Sequence, residues 1–284
     1  MNKSSDPLFS VAGRTIVITG GYGGIGRVMT LGLLERGANV AVLDLHPSEA
    51  ATVAAFGDYA KSERLMVVQA DVTDRGSLIA ARGEVVGRLG VPHGLINNAA
   101  LDAPPDSPPE ENGPFETYPE ESWDKVMNVN AKGVFLCCQV FGSDMSTERR
   151  GSVVNIGSIY GVLSPDQSLY QYRRERGEVF FKPVAYSASK STLYNLTRYL
   201  AVYWGGSGVR TNILTFAGVY NHQDEEFLKA YSKKIPLRRG GECEKLHSMA
   251  SAEDYLGAVI YLLSDASSYV TGSEIRIDGG FTAI

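Results

Sequence analysis

The chain has 284 residues, long enough for one large core and short for two independent domains. Hydrophobic residues at 44%, charged residues at 21% and a formal charge of -5 describe an ordinary globular protein, without the basic excess that nucleic acid or a membrane surface attracts. Three cysteines, with Cys137 and Cys138 adjacent, give no disulfide framework and suit a reducing, cytoplasmic compartment.

Met1–Ser10 is polar and lacks an apolar signal core, and no later stretch reaches the roughly 18 uncharged apolar residues of a membrane span. Thr15–Thr19 (TIVIT) is a β-branched run ending at a glycine cluster, and Ile25–Arg36 follows as a helix. Asn39–Leu43 reads as a second buried strand and Ser48–Lys61 as a helix; Leu65–Ala70 is a third strand, with a helix over Ser77–Leu89. Gly94–Asn98 and Ser152–Gly157 are the fourth and fifth strands, separated by one long helix over Glu121–Met145. A helix at Tyr186–Trp204 precedes a strand at Arg210–Leu214, and a helix at Ala252–Leu263 and a strand at Glu274–Ile277 close the chain. Strands without polar alternation are buried on both faces. With helices between them, they predict a single α/β domain: a doubly wound, seven-stranded parallel sheet of Rossmann type, flanked by helices. Two segments interrupt this rhythm. Asp102–Pro119, rich in proline and acid, is expected to lack regular structure, and Ser164–Pro183 gathers basic and aromatic residues.

Thr19-Gly20-Gly21-Tyr22-Gly23-Gly24-Ile25-Gly26 joins the first strand to the first helix. Residues without Cβ permit a turn tight enough for backbone N–H groups to approach a pyrophosphate at the helix N-terminus. A phosphate-loop NTPase would need Lys followed by Ser or Thr after the last glycine, but Arg27-Val28 follows. Asp44 ends the second strand, 18 positions after Gly26, where a carboxylate accepts from an adenosine ribose 2′-OH and repels a 2′-phosphate. Leu45 and His46 follow it, with no Arg or Lys to offset the charge, so NAD is favoured over NADP. Asp71-Val72 and Asn97-Asn98-Ala99-Ala100 end the third and fourth strands, where open α/β sheets bind ligands; each also suits an ordinary polar loop.

Tyr186 and Lys190 lie four residues apart, on one helical face. A phenol is a poor base near neutrality unless a cation stabilises its phenolate. Such a pair is by itself commonly a surface pair, and Ser158, after the fifth strand, is by itself a turn serine. Together the pieces resemble the short-chain dehydrogenase/reductase family over nearly the whole chain, from Gly13 to Phe281. The resemblance rests on Thr19–Gly26, Asn97–Ala100, Val129-Asn130-Ala131-Lys132-Gly133, Ser158, Tyr186–Lys190 and the ending Tyr269-Val270-Thr271-Gly272 with Asp278-Gly279-Gly280.

The resemblance implies an NAD(H)-dependent oxidoreductase interconverting a secondary alcohol and a ketone, with Tyr186 as general acid/base. Lys190 would lower the Tyr186 pKa and hold the nicotinamide ribose, Ser158 would orient the substrate oxygen, and Asn130 would hold a water leading to Lys190. Gly20, Tyr22, Gly24, Ile25 and Gly26 would surround the pyrophosphate. Asp71 and Val72 would meet adenine, Asn98 and Ala99 would lie near the ribose, and Gly218 and Val219 beside the nicotinamide. A homodimer or homotetramer through the helices near 121–145 and 186–204 is also implied.

Two departures matter. Ala217-Gly218 replaces the family's usual Pro-Gly pair, removing a φ restraint. The interval from Ser158 to Tyr186 is longer than usual, and its extra material at 164–183 is expected beside the catalytic tyrosine. With Tyr160, Tyr170, Arg173 and Arg174 it reads either as a lid for a small polar, sugar-like or anionic substrate or as a solvated or subunit-contact loop. Its setting also resembles members associated with bacterial carbohydrate pathways. The stretch 219–247 is expected to close over substrate. Scattered histidines give no metal-ligand spacing, and Gly157-Ser158-Ile159-Tyr160-Gly161 misses the hydrolase register. A non-catalytic NAD-binding regulator and a sugar-nucleotide epimerase or dehydratase remain the alternatives.

Overall fold

The computed structural model describes residues 6–102, 109–238 and 248–284. Seven parallel strands, β1 (Thr15–Thr19), β2 (Asn39–Asp44), β3 (Leu65–Gln69), β4 (Gly94–Asn97), β5 (Gly151–Ser158), β6 (Val209–Phe216) and β7 (Glu274–Ile277), form one sheet in the order β3-β2-β1-β4-β5-β6-β7. From β1 the chain winds outwards to β3, then returns to β4 and winds the other way. A crevice therefore opens above the carboxyl ends of β1 and β4, the switch point where such sheets bind ligands.

The helices are α1 (Gly24–Glu35), α2 (Glu49–Phe56), α3 (Arg75–Leu89), α4 (Glu120–Met127), α5 (Val134–Thr147), α6 (Gln171–Glu175), α7 (Val184–Gly205), α8 (Glu225–Ser232) and α9 (Leu256–Leu263). They cover both faces of the sheet, as the uninterrupted apolar strands require. Val17, Leu43, Val68 and Leu95 face Leu78 and Val85 of α3, Phe141 of α5 and Leu193 of α7. The neighbouring Ile16, Ile18, Val42 and Ile96 point oppositely, into Met29 and Leu33 of α1 and Val259 of α9. A third apolar cluster stands apart above the carboxyl ends of the strands. There Ile159, Leu169, Tyr170 and Phe180 meet Leu228, Tyr231 and Ile235.

The predicted elements are all present, but three boundaries differ for physical reasons. The helix expected over 48–61 stops at Phe56, because Gly57 turns to a φ of 55° and the chain continues as a 3-10 turn. The long helix expected over 121–145 is interrupted by a π turn at Asn128–Gly133, joining α4 to α5. In the segment expected to be irregular, Pro109–Asn112 and Phe115–Thr117 form 3-10 turns, the first opening on a proline that already lacks the unused N–H. Residues 103–108 of that segment, and 239–247 of the expected lid, lie outside the described residues. Among the described residues no helix is long and apolar enough to cross a membrane.

Candidate active site

β1 ends at Thr19, and its hydroxyl accepts from the backbone N–H of Asn98 and of Ala99 at 3.1 and 3.0 Å. The Asn98 side chain donates to the carbonyls of Thr19 and Gly20, so the β4 end and the glycine turn are laced together. Gly20 has a φ of 66°, and a Cβ there would sit 2.9 Å from the Ala99 Cα. A Cβ on Gly26 would reach the Gly20 carbonyl at 2.2 Å, whereas one on Gly24 would meet nothing within 4 Å. Two glycines thus close the turn, and Gly24 leaves room in front of the α1 N-terminus, where a pyrophosphate would lie. Ile25 is half-buried against the core. Tyr22 turns aside, its ring 5.4 Å from Phe56 and its hydroxyl 2.6 Å from the Thr52 Oγ1.

Asp44 Oδ2 accepts from the Tyr22 N–H at 3.4 Å and Oδ1 from Leu45 N–H at 2.9 Å, which holds the carboxylate at the rim of the crevice. Asp71 caps its own turn through Thr73, and Val72 packs where a Cβ on Gly133 would fall, against the π turn. This glycine cradle with an acceptor at its rim fits an adenosine diphosphate moiety.

On the other side of the crevice, Ser158 ends β5 and its hydroxyl lies against the Tyr186 phenol, stabilising the phenolate. Tyr186 is nonetheless held well above its usual value of 10, first by burial and then by the charge of Asp102. Lys190 is buried one turn further along α7; its Nζ donates to the Ile156 carbonyl at 2.7 Å and sits 5.9 Å from the Tyr186 ring centroid. Burial brings its ammonium down to about 8. Burial is the larger influence on the Tyr186 phenol in this arrangement, and one of the three Lys190 ammonium donors is directed at the Ile156 carbonyl.

Asn130 is buried on the π turn. Its Nδ2 donates to the Leu101 carbonyl and to Ser189 Oγ, and its Oδ1 accepts from Leu101 N–H at 2.7 Å. The side chain braces the β4 exit against α7. The π turn is what swings it inwards, a common use of such turns.

At the end of β6, Gly218 N–H donates to the Tyr231 hydroxyl at 2.7 Å, and the Val219 carbonyl accepts from Gln223 Nε2. Val219 pairs with Ala250 in a short parallel bridge, so these links restrain the segment that lacks the usual proline. Tyr160 and Tyr170 come together in the third apolar cluster, with Tyr231 and Asp102 close by.

Arg173 and Arg174 do not meet the expectation that they face a substrate. Arg173 pairs with Glu178 at 2.6 Å above the Phe180 ring, and Arg174 donates to the carbonyls of Phe180 and Gln167. Both brace the insertion itself. The sequence reading also passed over Tyr231, which positions Gly218, and Asp102, which stands at the pocket rim with Lys182. Position alone signalled Asp102, since it is the second residue after the Asn-Asn-Ala-Ala motif. A separate groove of about 1000 Å³ lies at the opposite, amino end of the strands, lined by Arg14, Arg149, Arg150 and Arg210, and holds none of the expected residues.

A glycine turn facing Ser158, Tyr186 and Lys190 across one crevice is the arrangement of a nicotinamide-dependent oxidoreductase class, and comparison with known proteins gives the family. A family model described as Enoyl-(Acyl carrier protein) reductase matches residues 20–282. The chain is 30% identical over 292 residues to a rhamnolipid-biosynthesis 3-oxoacyl-(acyl-carrier-protein) reductase of Pseudomonas aeruginosa, covering 97% of this chain and 98% of the relative. It is 30% identical over 287 residues to gluconate 5-dehydrogenase of Gluconobacter oxydans, covering 98% of each. The crystal structure of a short chain dehydrogenase from Leptospira borgpetersenii with bound NAD+ superposes with a TM-score of 0.81 at 29% identity, covering 98% of this chain and 96% of that one. The chain belongs to the short-chain dehydrogenase/reductase family.

Proposed function

We propose that the protein is an NAD(H)-dependent dehydrogenase interconverting a secondary alcohol and a ketone on a small polar, sugar-like substrate. The observation that carries this reading is the convergence of Ser158, Tyr186 and buried Lys190 across one crevice from the Gly20–Gly26 turn. When bound, a nicotinamide dinucleotide supplies the hydride acceptor or donor and, when oxidised, a positive ring charge.

The chain's own residues handle the oxygen and its proton. Ser158 hydrogen-bonds the substrate oxygen, and Tyr186 takes the hydroxyl proton in oxidation and returns it in reduction. Its raised pKa keeps the phenol protonated near neutrality, ready to act as acid. Lys190, one helical turn away, supplies the positive field that supports the phenolate. Asp44 supports the preference for NAD, because a second negative group at the 2′ position would be repelled there. The Leptospira relative has NAD+ bound, and the Gluconobacter relative acts on gluconate, a polyhydroxylated substrate.

The test is titration with NADH and NADPH, followed by turnover of polyols, ketoses and hydroxy acids. NADH is expected to bind at least tenfold more tightly, and Tyr186→Phe to lose about a thousandfold or more in kcat while cofactor affinity stays within a few-fold. Wild-type turnover by Tyr186→Phe would overturn the mechanism, and tighter NADPH binding would overturn the role of Asp44.

A further inference from the structure

The insertion at 164–183 brings four cations, Arg173, Arg174, Arg176 and Lys182, into an acidic protein, and each is already partnered. Arg173 faces Glu178, Arg174 faces backbone carbonyls, and Arg176 reaches Glu226 of α8 at 2.8 Å. Lys182 is the one that turns to the active site. Its side chain is only 8% exposed, its Nζ lies 5.2 Å from the Tyr186 ring centroid, and it hydrogen-bonds the Asp102 carboxylate. Asp102 is half exposed, and its charge reaches Tyr186, Tyr160 and Tyr170. Beside them the buried Tyr160 hydroxyl faces that of Tyr170.

We infer that Lys182 and Asp102 form a clamp for adjacent substrate hydroxyls, and that the substrate is a neutral polyol or ketose in preference to a carboxylic acid. The inference rests on the dehydrogenase reading above. A hydroxyl is both donor and acceptor, so it accepts from the Lys182 ammonium and donates to the Asp102 carboxylate without breaking the ion pair. A substrate carboxylate must instead displace Asp102 from Lys182 and then lie against it, two like charges in a site of low dielectric. Of the cations that made an anionic substrate attractive from sequence, Arg173, Arg176 and Lys182 are paired with carboxylates, and Arg174 is committed to backbone carbonyls.

The experiment compares kcat/KM for neutral pentitols, hexitols and ketoses with that for gluconate and other aldonates, using the full chain with NAD(H). Neutral substrates are expected to exceed the carboxylates by at least tenfold. Asp102→Asn leaves Lys182 a cation without its carboxylate. It is expected to lower kcat/KM for neutral substrates about tenfold, chiefly through KM, and to narrow or reverse the gap with gluconate. Lys182→Gln, which keeps a donor and removes the charge, is expected to weaken gluconate turnover more than polyol turnover. A wild-type preference for carboxylates, or an equal response of both classes to either variant, would overturn the clamp and leave the dehydrogenase reading standing. Hydride transfer with neither class, by a chain that binds NADH, would overturn the dehydrogenase reading and the clamp together.

Discussion

Lys190 shows most directly what the active site costs the fold. A lysine brought from 10.5 to about 8 by burial is a cation that the folded chain holds unwillingly. The unfolded chain binds the extra proton between pH 8 and 10.5, so this group's contribution to stability is unfavourable at pH 7 and is relieved as pH rises through that window. The nominal penalty is about 3 kcal/mol, and the hydrogen bond to the Ile156 carbonyl offsets about 1 kcal/mol of it. Lys190→Met is expected to unfold in urea at an equal or higher midpoint at pH 7 while losing activity. A clear loss of stability would show that the ammonium contributes more through its carbonyl contact than it loses by burial.

At the scale of elements, the insertion and α8 are built as one cover. Tyr170 packs against Phe180 and Phe227 at 4.8 and 5.5 Å, Tyr172 donates to Asp224, and Lys234 pairs with Asp166 at 2.6 Å. The exposed ion pairs add little, typically under about 1 kcal/mol each, so the rings carry the docking. Tyr170→Ala is expected to cost on the order of 3 kcal/mol locally, and so to speed amide exchange roughly a hundredfold over 164–183 and 221–237 together. Faster exchange in one segment alone would show two independent pieces. The two segments of this cover were named from the sequence, but the contacts that join them were not legible there. The strands and helices were, because apolar runs and helical periodicity are local signals, and so were the glycine turn and the Tyr186–Lys190 spacing. The partners of Arg173, Arg174 and Asn130 were not, since Glu178, the Phe180 carbonyl and Leu101 become neighbours only once the chain folds back. A residue type announces what it can bind, whereas its partner is decided by topology.

For the whole molecule, the outer face of α7 carries Tyr199, Val202 and Tyr203, which are 62%, 86% and 67% exposed, at helical spacing. Tyr199 and Tyr203 stack on each other at 5.9 Å, and Phe135 of α5 is exposed as well. Exposed aromatic stripes of this kind favour association. The chain is expected to run as a homo-oligomer in light scattering, and Val202→Glu with Tyr203→Glu to reduce its mass to that of a monomer. A monomeric wild type would remove the idea that these helices pair.

The π turn at Asn128–Gly133 has a consequence for how the chain tolerates changes in length. It contains one more residue than the α-helices on either side need. A deletion there would restore an unbroken ladder and improve the local helix. It would also rotate α5 by about 100° relative to α4, taking Cys137, Phe141 and Met145 out of the core. The local gain and the global loss have opposite signs, so the segment accepts exchange of its side chains far more readily than the removal of a single residue.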